Sequence, residues 1–186
     1  MVGASVSVAG ADEHRSKLLE PDEHPQALMI DEIRLRETVS GALAQIRSKD
    51  NLDSHLAVAH IINSPILYLS DKARTRFLES LEFSENGLAS FDYRDLQREL
   101  TASQIYEVLS LFGMQKTIRS IPHLRVASDL DKAVIDAAYL PLSCNTPGPV
   151  LPGAGGFCDD DHWHNYVCRS PGTCSGRNGS ICTSNC

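Results

Sequence analysis

Apolar residues recur at helical spacing through most of the first 140 positions, and then the pattern stops. Ile30, Ile33, Leu35, Val39, Leu43 and Ile46 fall mostly three or four apart, which predicts an amphipathic helix from about Met29 to Arg47. Asp50-Asn-Leu-Asp-Ser54 interrupts it with several possible N-caps. The nearly all-apolar run His55 to Ile62 then predicts a buried helix, ended by Ser64-Pro65 because the residue before proline avoids the α region.

Ser70 caps a helix predicted from Asp71 to about Leu81, with Phe77, Leu78 and Leu81 on one face. Glu85-Asn-Gly87 is a turn. Ser90 or Asp92 starts a short helix through Leu100. Thr101-Ala-Ser-Gln104 is a capping box for a helix that stops at Gly113, and Ser128 opens a last helix through about Ala138. Gln115 to Val126 fits no single period. The expectation is an all-α fold, a small helical bundle over residues 29–139, with residues 1–28 a disordered N-terminus and 29–140 a helical recognition domain.

After Leu140 the character changes. Residues 141–156 hold four prolines and a run of glycine, and read as a flexible linker. Residues 157–186 carry five of the six cysteines and the one tryptophan. A segment this short and polar has no core of its own, so cross-links or a metal must hold any shape it has.

Composition narrows the function classes. The net charge of −7 argues against nucleic acid as a partner. No stretch is apolar enough to span a bilayer. The first ten residues lack the basic n-region of a secretory signal, although dense cysteine suggests an oxidising compartment. No phosphate-binding glycine loop, Gly-x-Ser-x-Gly elbow or HExxH is present, so an enzyme is not expected and no cofactor is implied. His55, His60, Glu79 and Glu82 match no ligand spacing and read as structural.

Three chemistries compete in the tail. The six cysteines could form a disulfide framework, although cutting after Gly156 leaves an odd five. Cys158, His162, His164 and Cys168 offer a zinc-type donor set. Alternatively, thioethers could join Cys174, Cys182 and Cys186 to dehydrated hydroxyl residues, for which Ser170, Thr173, Ser175, Ser180, Thr183 and Ser184 are the candidates. Such short rings would remove freedom from a formless peptide.

With Gly155-Gly156 ahead of Cys158 to Cys168, Trp163, Tyr166 and a Ser/Thr/Cys-rich end, the tail resembles the core of a ribosomally synthesised, post-translationally modified peptide precursor, and within that class a lanthipeptide. The resemblance implies cleavage at Gly155-Gly156 and a disulfide between Cys158 and Cys168. It implies thioethers at Cys174, Cys182 and Cys186. It also implies a cytoplasmic precursor whose long leader binds a modifying enzyme and a peptidase-exporter, and a secreted peptide of antimicrobial (bacteriocin-like) or signalling type. The alternative is a stand-alone helical protein with a disulfide- or zinc-stabilised C-terminal interaction module.

Overall fold

The computed structural model describes residues 25–139 and 162–186. It begins with α1 (Pro25–Leu43), α2 (Lys49–Val58), a 3-10 turn (Pro65–Tyr68) and α3 (Asp71–Glu79). A hairpin of β1 (Glu82–Ser84) and β2 (Gly87–Asp92) leads to α4 (Arg94–Glu99) and α5 (Ala102–Ser110). A second 3-10 segment (Gln115–Ser120) and α6 (Asp129–Tyr139) follow, and the tail supplies β3 (His162–Ser170) and β4 (Thr173–Thr183).

This is a mixed α/β fold and corrects the all-α expectation. The four strands form one antiparallel sheet in the order β1-β2-β4-β3, so two strands come from the helical region and two from the tail. The correction has a physical cause at each strand pair. Leu88, Ala89, Ser90 and Phe91 are all buried, so β2 lacks the in-out alternation of a half-exposed strand and offers no period-2 signal. β4 has a single aliphatic residue, Ile181, because most of the apolar surface it needs belongs to the rest of the protein.

Helix boundaries move for local reasons. α1, described from Pro25 onward, takes in the last residues of the segment expected to be disordered. It ends before Ile46, which turns into the core and donates its N–H to the Leu111 carbonyl at 2.9 Å. The expected break at 50–54 lies within α2: Ser48 Oγ accepts the Asn51 N–H at 3.2 Å, Asp50 sits in the first turn, and Leu52 is the buried residue. The helix expected from His55 to Ile62 ends at Val58, leaving Ile61 80% and Ile62 50% exposed.

Other starts lie where the caps indicate. Ser70 caps α3, and the Thr101 N–H donates to Gln104 Oε1 at 3.0 Å at the head of α5. At the head of α6, the Asp131 carboxylate accepts N–H bonds from Ser103 (2.7 Å), Ala127 (2.9 Å) and Ser128 (2.8 Å), and the Ser128 hydroxyl (2.8 Å). Burial opposes its ionisation, but these bonds outweigh that and hold its carboxyl far below the usual carboxylate range. Phe77, on α3, meets Phe91 of β2 and Phe112 edge-on, with centroids 6.3 and 6.2 Å apart, joining helix to sheet.

Candidate functional site

The tail is a hairpin turned by Pro171-Gly172, with Ser170 opposite Thr173 and Gly172 at φ 73°. It does not stay straight. Cys174 and Cys182 lie on the same strand, yet their Cα atoms are 6.2 Å apart, where eight residues of straight strand would span about 26 Å. The hairpin is therefore folded across its middle. β3 bends at Asn165 (φ 62°) and β4 at Gly179 (φ 82°), and the Gly179 N–H donates to Asn165 Oδ1 at 2.9 Å, tying the two bends together. Residues 177–180 form the bulge that makes this possible, since β3 passes from His164 to Tyr166 while β4 passes from Ile181 to Gly176.

Two disulfides close the folded hairpin. Cys168 bonds to Cys186 and Cys174 to Cys182. Cys168 also faces Cys174 directly across the ladder, and the Cys186 carbonyl accepts the Gly172 N–H at 2.6 Å. Both bridges begin and end within 162–186, so neither joins the tail covalently to the helical region.

The tail is instead held to the body as an added strand. Ser90, Phe91 and Asp92 of β2 pair with Cys182, Ile181 and Ser180 of β4. Ile181 is fully buried in the same core cluster as Phe91 and Leu88, which contributes about 2 kcal/mol. The Thr183 hydroxyl donates to the Leu88 carbonyl at 2.6 Å, Asn185 Nδ2 donates to the same carbonyl at 3.3 Å, and the Ser84 hydroxyl donates to the Asn185 carbonyl at 2.5 Å. At the bulge, the Gly179 carbonyl accepts the Tyr93 N–H at 2.9 Å. A side chain on Gly179 would lie 2.5 Å from Arg94 Cδ, so the two surfaces meet there without a gap.

The two histidines of the tail serve the same docking. His162 is buried, its Nε2 2.7 Å from the Ser120 hydroxyl. His164 stacks on Tyr93 with centroids 5.5 Å apart, and its Nε2 lies 2.8 Å from the Tyr93 hydroxyl. Burial, with Asp92 nearby, pushes that hydroxyl above its ordinary value, so it remains a proton donor. The zinc set read from sequence is thus not assembled: both histidines are engaged with the body, Cys168 is in a bridge, and Cys158 lies outside the described residues.

The other sequence candidates distribute as follows. Cys168 is paired with Cys186, not with Cys158. Ser180 and Thr183 are buried at 1% exposure, Ser175 is half-buried, and Ser170, Thr173 and Ser184 are exposed. Gly155, Gly156 and Cys144 lie outside the described residues. His55, in the body, is buried beside Ser64 (Nε2 to hydroxyl 2.7 Å), and burial lowers its pKa. Among the described residues no helix is long and apolar enough to cross a membrane.

Reasoning from sequence missed Ser84, Tyr93, Asn165, Gly179, Ile181 and Asn185. The available signal was Pro171-Gly172 between two runs containing Tyr166-Val167 and Ile181-Cys-Thr183, a turn dipeptide flanked by β-formers.

Comparison with known proteins finds no family model, no curated protein and no solved structure that matches the chain.

Proposed function

We propose that the chain is the precursor of a disulfide-bonded peptide, in which the helical body is a leader that holds its own C-terminal cargo as a strand. The carrying observation is that β4 is an inner strand of the sheet with Ile181 fully buried, while both bridges lie wholly inside the tail. A unit cross-linked to itself but only docked to its carrier separates once the backbone is cut in the intervening segment. Docking gives the four cysteines a fixed arrangement while the bridges form, which lowers the entropy that a free peptide of this length must lose. The geometry favours disulfides over thioethers here, because all four described sulfurs are already paired and two candidate hydroxyls are buried. Bridge formation asks for an oxidising environment, and release asks for a peptidase. A modifying enzyme and an exporter remain the partners that the resemblance to modified-peptide precursors suggests.

The alternative reading, a stand-alone protein with a permanent C-terminal module, is favoured by one observation: Ile181 belongs to the core of the body. One experiment separates the two. The full chain is expressed under oxidising conditions, cut between residues 140 and 161, and followed by gel filtration and intact mass. The precursor reading expects a body that stays folded after the peptide leaves, and a peptide lighter by two hydrogens for each bridge. A free 157–186 peptide should oxidise to a mixture of pairings, and the docked tail to one. The proposal fails if the body unfolds once the tail is removed, or if the free peptide reaches the same pairing with equal yield.

A further inference from the structure

We infer that the folded hairpin doubles as a metal site: in its reduced state the chain binds one zinc ion through the thiolates of Cys168, Cys174, Cys182 and Cys186. This goes beyond the precursor reading and holds whether or not the peptide is ever released.

The sulfurs of Cys168, Cys182 and Cys186 all lie within 4.8 Å of one another, and the Cys174 sulfur is bonded to that of Cys182. Zinc at about 2.3 Å from each of four sulfurs in a tetrahedron spaces them about 3.8 Å apart, so on reduction the two bonded pairs open from 2.10 and 2.02 Å to that spacing. Cys182 is already within about 1 Å of it from Cys168 and Cys186, and Cys174, the fourth donor, swings in beside them. Among the described residues the side-chain donors of this cluster are sulfur alone, with no Asp or Glu. Such a soft donor set selects zinc over calcium or magnesium.

Several restraints on the four cysteines act independently of the bridges. Cys168 faces Cys174 through the ladder, Cys186 is tied to the turn through Gly172, and the Asn165–Gly179 bond holds the central bend. Cys182 is fixed by pairing with Ser90 and by burial at 0% exposure. Each restraint is a hydrogen bond or apolar contact that reduction leaves intact. Four thiols therefore stay gathered where the two bridges were. Cys182 shields the ion on one side, and Arg169, adjacent to Cys168 and bonded through Nε to the Ser175 hydroxyl at 3.1 Å, places a positive charge near a site that is negative overall.

Access is open as well. Cys168 and Cys186 line a cleft of about 660 Å³, and Cys174 and Cys186 line another of about 380 Å³. Each bridge takes two electrons and two protons from a dithiol reductant, whose own sulfurs close to a disulfide. Zinc then displaces the four thiol protons as it binds the four thiolates.

The test uses the full chain, reduced without oxygen by a phosphine and titrated with Co²⁺ as the probe, then with Zn²⁺ to displace it. The expected result is a tetrahedral cobalt-thiolate spectrum that saturates at one equivalent and is bleached by zinc. Emission from Trp163, which lies opposite Cys182 in the ladder, should be quenched in step. Cys144→Ser with Cys158→Ser should keep both signals, and Cys168→Ser with Cys186→Ser should lose both while the body's helical circular dichroism is retained. Absence of the tetrahedral spectrum in the reduced wild-type chain would overturn the inference. So would its loss when Cys144 and Cys158 are replaced, or an equal spectrum from the oxidised chain.

Discussion

The body and the tail reach order by opposite means. Among the described residues, the body buries phenylalanines and aliphatic residues from six helices and two strands, and its polar caps only set where the elements begin. The tail has little to bury: among its described apolar residues, Val167, Ile181 and Cys182 are the buried ones. Of its residues only Ile181 enters the shared core, and its shape comes from two bridges, a bulge and a strand edge lent by β2. A short polar segment can thus be as ordered as a helical bundle when its apolar surface is supplied by a neighbour and its freedom is removed by covalent links. The price is dependence: the tail's order is conditional on the body and on redox state, and the body's is expected to be far less conditional on the tail.

That asymmetry can be measured because Trp163, the one tryptophan, lies in the tail, while nearly all the helix lies in the body. Emission follows one region and far-ultraviolet circular dichroism the other. The largest effect is expected from Asp131→Asn. It replaces a buried carboxylate that accepts bonds from Ser103, Ala127 and Ser128 with an amide, whose NH₂ faces N–H donors. The expected loss is about 4 kcal/mol, and both probes should fall together because the tail cannot dock on an unfolded body. The same group sets an acid limit. Its folded pKa is depressed, so its stabilisation is complete above the unfolded value near pH 4 and drains away as pH falls toward the folded one. The wild type should lose stability through that acid range, and the variant should lose less. Coincident acid melts of the two proteins would show that Asp131 is not the group responsible.

Ile181→Ala comes next, at about 3 kcal/mol, because it empties a fully buried site where tail meets body. Here the probes should part, with Trp163 reporting undocking well before the helices melt. If both transitions move equally, the tail is an integral part of one cooperative unit and the carrier reading loses its main support.

How much of this could be read from the chain depends on where each element finds its partner. Ser70, the Thr101–Gln104 box and Ser128 identify helix starts because a cap is satisfied by atoms three residues away, and these signals are local. Glu85-Asn-Gly87 likewise marks a turn. It is in fact the turn of the β1–β2 hairpin, but Leu88 to Phe91 is buried on both faces, so its sequence carries no in-out alternation to separate strand from helix. The tail is the harder case. Its strand character rests on contacts with Leu88, Phe91 and Tyr93, seventy or more positions away, and no window of the tail contains them. The cysteines announced that cross-links were needed, but the pairing of Cys168 with Cys186 depends on the bend at Asn165 and Gly179, and Asn165 carries no marker for a positive φ beyond being asparagine.

Removing the Cys174–Cys182 bridge by a double serine substitution should cost the tail about 2 kcal/mol, since the closed loop is short. The body should melt at its usual temperature by circular dichroism while Trp163 emission shifts at a lower one. Adding reductant to the wild type should do the same to a greater degree, because it opens both bridges. A body transition that moves with the thiols would mean that the covalent links stabilise the whole protein and not the hairpin alone.

The smallest effect tests the strand edge by itself. Thr183→Val keeps the shape and β-propensity of the residue and removes only the hydroxyl that donates to the Leu88 carbonyl at 2.6 Å. That carbonyl keeps its bond from Asn185 Nδ2, while the Asn185 N–H loses the hydroxyl that accepts it at 3.2 Å, and the loss should be about 1 kcal/mol. At that size the equilibrium shift is several-fold, and it should appear as faster hydrogen exchange at the β2 and β4 amides, with the α5 and α6 amides unchanged. If instead protection falls across the helices by the same factor, the hairpin and the body open together, and the distinction between a self-sufficient region and a dependent one does not hold.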